Sequence, residues 1–142
     1  MSPHLAKLRR LIFGCLPLAA VVFANGQQTA PPAGAKDEPF ETRCGWFSNP
    51  TPANIWLYDK DGDWTIGVQG GYQVEGEWEA PDFKPRQWVK TNVGEYGYGC
   101  ACFELKVNGK TREVLEIKSS RALPLSTCRK DHALKRWRHL FK

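Results

Sequence analysis

Histidine is nearly missing from this chain. Of 142 residues only three are histidine, and they sit at His4, His132 and His139, so the long middle has none. That removes the commonest general base and a favoured metal ligand from most of the molecule. Cysteine is sparse too, at five, and no pair is spaced C-x-x-C as dithiol redox motifs usually are. The paired C-x₂₋₄-C spacing of zinc sites is absent on the same reading. No internal repeat is visible. The longest apolar run, Leu11 to Ala24, has about 14 residues, short of the roughly 20 that a membrane span needs.

What is present at the start is the layout of an export signal. His4, Lys7, Arg9 and Arg10 form a basic opening, the apolar run follows, and Val22-Phe23-Ala24 ends it in a small-residue cleavage pattern. Asn25, Gly26, Gln27 and Gln28 then turn polar at once. Residues 1–24 are therefore expected to be a cleaved signal peptide, with an uncleaved anchor as the alternative. A lipid-carrying cysteine should end the apolar run, whereas most of the run lies after Cys15, so Cys15 is assigned to the leader. Export implies an oxidising compartment, periplasmic or secreted.

The leader also distorts the charge. The chain has 20 Lys+Arg and 15 Asp+Glu, and the leader holds three of the basic residues and no acid. From Asn25 to Ser120 there are 10 basic and 14 acidic residues, against 7 and 1 from Arg121 to Lys142. The pI near 9.0 thus belongs to the two ends. It does not describe a basic domain, and no nucleic-acid partner is expected.

Four cysteines remain after the leader: Cys44, Cys100, Cys102 and Cys128. An even count in a small exported domain points to two structural disulfides rather than a metal or a redox site. On an extended strand Cys100 and Cys102 share a face and are poorly placed to bond each other. Two connectivities remain, and Cys44–Cys100 with Cys102–Cys128 is the one preferred. No cofactor is expected.

Asn25 to Phe40, rich in Pro, Gly, Gln and Ala, reads as a flexible linker over residues 25–40. The folded domain is expected over residues 41–134, with a basic tail over 135–142. Its aromatic and branched runs predict a mainly β fold: a small antiparallel sheet stapled by the disulfides, with a short C-terminal helix. Ile55–Tyr58 and Trp64–Val68 should pair around Asp61-Gly62, and the runs flanking Asn108-Gly109 should form a second hairpin. Tyr72 to Val74 should add a strand, and "WVKTN" another. Ser126 or Thr127 would cap a helix whose apolar spacing runs through Leu134, Trp137 and Leu140 or Phe141.

The segments "ETRCGWFSNPTPANIWLYDKDGDWTIGVQGGYQVEG", "YGYGCACFEL" and "LPLSTCRKD" resemble the family catalogued as domain of unknown function 4087, small exported bacterial proteins. The resemblance runs from about Glu41 to Leu134. It implies an exported cysteine-containing domain and supplies no catalytic residue. The extension from Lys135 to Lys142 lies beyond it.

Three features bear on function. "DKDGD" fails the calcium-loop spacing, since Gly62 is fourth and Gly70 twelfth from Asp59, so its carboxylates read as solvated turn residues. Among the many aromatics, Trp56, Tyr58, Trp64, Tyr96 and Tyr98 are the candidate binding residues, with Trp46, Trp78 and Trp88 left to the core. The tail "KRWRHLF" suits weak contact with an anionic membrane, its aromatics dipping into the interface; the bland alternative is a solvated end. Glu75, Glu77 and Glu79 read as charges on a strand edge. The expectation is a non-catalytic protein that binds or inhibits another envelope macromolecule. A glycan or cell-wall binder using its tryptophans is the alternative, and a hydrolase ranks last.

Overall fold

A computed structural model describes residues 38–142; the expected leader and all of the linker before Glu38 lie outside that range. Six strands form one sheet: β1 (Glu41–Thr51), β2 (Asn54–Tyr58), β3 (Asp63–Gly67), β4 (Trp88–Lys90), β5 (Gly97–Asn108) and β6 (Glu113–Leu123). A helix, α1 (Leu125–Lys130), and a 3₁₀ helix over His132–Trp137 follow. β1, β2 and β3 make an antiparallel meander, and β5 returns to lie beside β1, a Greek-key arrangement. β6 pairs with β5 and meets β3 through one parallel contact, Thr65 opposite Glu113. The ring β1-β2-β3-β6-β5 therefore closes on itself. β4 sits outside it, paired with the end of β5 at Gly97–Gly99 that β6 leaves free.

Alternation along the strands gives the ring two apolar faces. Phe47, Leu57, Trp64, Ile66, Phe103, Leu105 and Val114 fill the inside. Their outward neighbours Trp46, Tyr98 and Cys100 form a second cluster with Cys128, Leu134 and Phe141 of the C-terminal segment. Each buried large apolar side chain contributes about 1.5–3 kcal/mol. Because both faces are covered, Gly45 to Ser48 of β1 and Gly97 to Phe103 of β5 are buried without a break. This explains why β1 shows no period-two pattern and why no strand was expected there.

The mainly β class, the two expected hairpins and the short C-terminal helix are all observed. Three details differ. The expected strand at Tyr72–Val74 shrinks to a single bridge between Gly67 and Gln73, because Gly70 and Gly71 turn the chain sharply and Gly76 breaks it again. α1 starts behind Pro124 with no side-chain cap, so neither Ser126 nor Thr127 has that role. The preferred disulfide connectivity is also corrected: the bonds are Cys44–Cys102 and Cys100–Cys128. Antiparallel register sets Cys44 directly opposite Cys102, at a Cα separation of 4.0 Å, and sets Trp46 opposite Cys100. Cys100 is then reached by α1, which folds back over β5 after β6.

At the β2–β3 turn the carboxylates are not merely solvated. Asp59 is 2 % exposed. Its Oδ1 accepts from the N–H groups of Asp61 and Gly62 at 2.7 and 2.9 Å, and Oδ2 accepts from Arg43 at 2.6 Å. Gly62 has a φ of 154°, a backbone conformation that L side chains rarely adopt, so glycine suits this turn.

Two outcomes follow from this fold. Cys100 and Cys128 are 28 residues apart, so on the loop-entropy model replacing both by serine should lower the unfolding free energy by about 3–4 kcal/mol in urea titration. A loss under about 1 kcal/mol would mean that this link does not constrain the chain. The Tyr72 hydroxyl donates to Val114 O at 2.7 Å. Burial, then the charges of Glu113 and Glu75, push its pKa up to about 12 from 10.0. A raised folded pKa stabilises fully below pH 10, and that contribution is lost as pH rises toward 12. The urea midpoint should fall across this window more steeply for the native chain than for Tyr72→Phe; equal slopes would contradict the assignment.

Candidate functional site

The five aromatics picked out in the sequence do not form one platform. Trp64 is 2 % exposed inside the ring, between the guanidinium groups of Arg43 and Arg112, each 4.1 Å from its ring centre. Tyr98 is 4 % exposed beneath the C-terminal segment, with its hydroxyl donating to Lys142 O. Both are core residues, which corrects their place as accessible binders. Tyr58 is half-buried on the same outer face, edge-on to Trp137 and Phe141 at 5.0 and 5.1 Å. Trp56 and Tyr96 are partly exposed and lie apart from either aromatic cluster.

An aromatic-lined hollow lies elsewhere. Residues 75–87 run as an irregular loop, so Glu75, Glu77 and Glu79 are exposed loop residues rather than a strand edge. Pro81 is buried and Phe83 lies against the main chain of β5, where a Cβ at Gly99 would come within 2.4 Å of Phe83 Cε1. The return of the loop into β4 is fixed by reciprocal bonds: Lys84 N donates to Gln87 Oε1 at 3.0 Å, and Gln87 N donates to Lys84 O at 2.8 Å. Phe83 and Trp88 therefore meet at 4.8 Å, and both approach Phe47, at 5.9 and 6.1 Å. Phe83 and Trp88, each partly exposed, wall an open groove of about 620 Å³ that Asn49, Pro85 and Lys90 help to line, while Phe47, 2 % exposed, presents almost no surface to it. Its charged rim pairs internally: Lys84 with Asp82 at 3.0 Å and Lys90 with Glu95 at 2.7 Å.

A second hollow of about 540 Å³ lies between residues 77–82 and β6, and Ser120 Oγ donates across it to Glu79 O at 2.8 Å. A third, of about 270 Å³, is lined by Arg43, Asp59 and Asp61 beside Cys44. There hydrogen bonds from Lys60, backed by Arg43, hold the Asp61 carboxyl below its ordinary pKa. Its side chains satisfy one another. Among the described residues no group of three His, Cys, Asp or Glu side chains is placed to hold a metal ion, and no helix is long and apolar enough to cross a membrane.

Phe83 and Trp88 escaped the sequence reading because Phe83 sits in a proline-framed loop and Trp88 was assigned to the core. The available signal was an aromatic framed by Pro81 and Pro85 in a loop, with a tryptophan shortly after.

These features define a small, disulfide-linked β-barrel module with an aromatic groove. The chain belongs to the family described as protein of unknown function DUF4087, whose model matches residues 38–135. No curated protein and no solved structure matches it.

Gly99→Ala should disturb the groove directly, since the added methyl overlaps the Phe83 ring. We expect destabilisation of about 1–3 kcal/mol together with a change in tryptophan emission as Trp88 loses its neighbour. A variant with unchanged emission and stability would show that Phe83 does not rest on β5.

Proposed function

We propose that the chain is an exported, non-catalytic binding protein that holds a neutral glycan strand of the cell envelope in the groove of Phe83 and Trp88. One observation carries this reading: flat aromatic walls combined with a rim whose charges cancel in pairs. The ring faces suit the C–H faces of sugar rings, and Asn49 and the paired side chains offer donors and acceptors to hydroxyl groups. With no net field at the rim, neither a polyanion nor a polycation is favoured there.

The same geometry ranks glycan above protein. Among the described residues the exposed large apolar side chains are Val93 and Leu140, too few for the apolar centre of a protein–protein interface. Two disulfides fit an oxidising environment and support a periplasmic or secreted location. Binding rather than catalysis is favoured because all four described cysteines are tied in disulfides and neither His132 nor His139 lines the groove.

Sedimentation with an insoluble, uncharged N-acetylhexosamine polymer tests the proposal. Trp88→Ala should weaken retention at least tenfold, which corresponds to about 1.4 kcal/mol, and Trp56→Ala should leave it unchanged. Absence of retention, or equal retention by Trp88→Ala, would overturn it.

A further inference from the structure

Leu125 to Lys142 divides its side chains between buried and exposed. Leu134 and Phe141 are buried, and Trp137 Nε1 donates to Asp59 O at 2.8 Å. The Cys100–Cys128 bond pins the segment to β5. Arg129, Lys130, Lys135, Arg136, Arg138 and Lys142 are all exposed. Among the described residues none of these six forms an ion pair. The segment's lone acid, Asp131, uses its Oδ1 to accept from Ala133 N at 2.8 Å. A fixed surface of unpaired cations binds a polyanion with little further loss of chain entropy, because folding has already ordered the backbone.

We infer that this face docks the protein on an anionic phospholipid bilayer through charge, without inserting its aromatic side chains. Phe141 stacks on Trp46 at 5.2 Å and meets Tyr98 edge-on at 5.0 Å, while Trp137 packs on Tyr58 at 5.0 Å. Those rings are unavailable to dip into lipid. They are equally unavailable as stacking platforms for the bases of a single-stranded nucleic acid, which needs aromatic faces as well as charge. A layer of anionic headgroups needs only the cations. Leu140, 46 % exposed, is the one large apolar side chain of the segment left outward, so contact is shallow. Three of these six cations, Arg136, Arg138 and Lys142, lie beyond the family match, which ends at residue 135. The basic face does not depend on what the aromatic groove holds.

The test compares the full chain with a Lys130→Glu, Lys135→Glu, Lys142→Glu variant on two kinds of vesicle, phosphatidylcholine alone and phosphatidylcholine with phosphatidylglycerol. Residues 1–37 are common to both proteins, so any contribution they make cancels between them. The native chain should prefer the anionic vesicles at least tenfold at low salt. That preference should vanish in the variant and fade at about 0.5 M salt, where screening acts within a few ångströms. The tryptophan emission maximum should not move on binding. If the triple variant has a lower urea midpoint than the native chain, Arg136→Gln with Arg138→Gln serves in its place. Equal affinity for the two vesicle types, an undiminished preference in the variants, or a blue-shifted emission would overturn the inference. So would tighter binding to a single-stranded oligonucleotide than to the anionic vesicles, and so would loss of vesicle binding in millimolar inorganic phosphate at constant ionic strength.

Discussion

Two cysteines two residues apart on β5 hold this structure together. Because they share the outward face of the strand, each must reach a different element, and each closes a different part of the fold. Cys102 ties β5 to β1 at the seam that completes the ring. Cys100 ties β5 to α1 and so lays the C-terminal segment over the outer aromatic face. The ring is otherwise closed on its far side by a single β3–β6 bridge and the bond from Thr65 N to Arg112 O at 2.8 Å. A domain of this size has net stability of about 5–15 kcal/mol, so two covalent closures are a large part of what keeps it shut.

The same strand positions the surfaces that face outward. At one end, Gly97 and Gly99 keep β5 bare enough for Val89 and Phe83 to approach its main chain, and this lets the proline-framed loop stand as one wall of the groove. On the outer face the covering segment uses its apolar residues inward and leaves its cations outward. The groove and the basic face therefore have separate supports. A ligand in the groove meets a wall fixed by β4 and β5, while the basic face is fixed by the α1 disulfide and the Phe141–Trp46 stack.

The hairpins were legible because Asp61-Gly62 and Asn108-Gly109 are local signals; the tail was not, since Trp137 and Phe141 pack on the sheet instead of lying free, and the expected single helix breaks at the extended Asp131 into α1 and a 3₁₀ helix. β1 was not legible. Burial on both faces erases alternation, and its partners lie far away in sequence, so nothing local marks Trp46 and Phe47 as strand neighbours facing opposite ways. The cysteine pairing failed for the same reason. It depends on the register between β1 and β5, and a shift of two residues would have set Cys44 opposite Cys100 instead. Trp64 looked accessible because aromatic content alone does not say which side of a closed ring a side chain enters. Phe83 and Trp88 become a pair only once the loop is laid across Gly99.

The most direct measurement is a disulfide map of the unreduced protein by tandem mass spectrometry, with fragmentation between Cys100 and Cys102 to tell the two apart. This fold requires Cys44 linked to Cys102 and Cys100 linked to Cys128. Linkage of Cys44 to Cys100, or ready alkylation of any of the four without reductant, would contradict it.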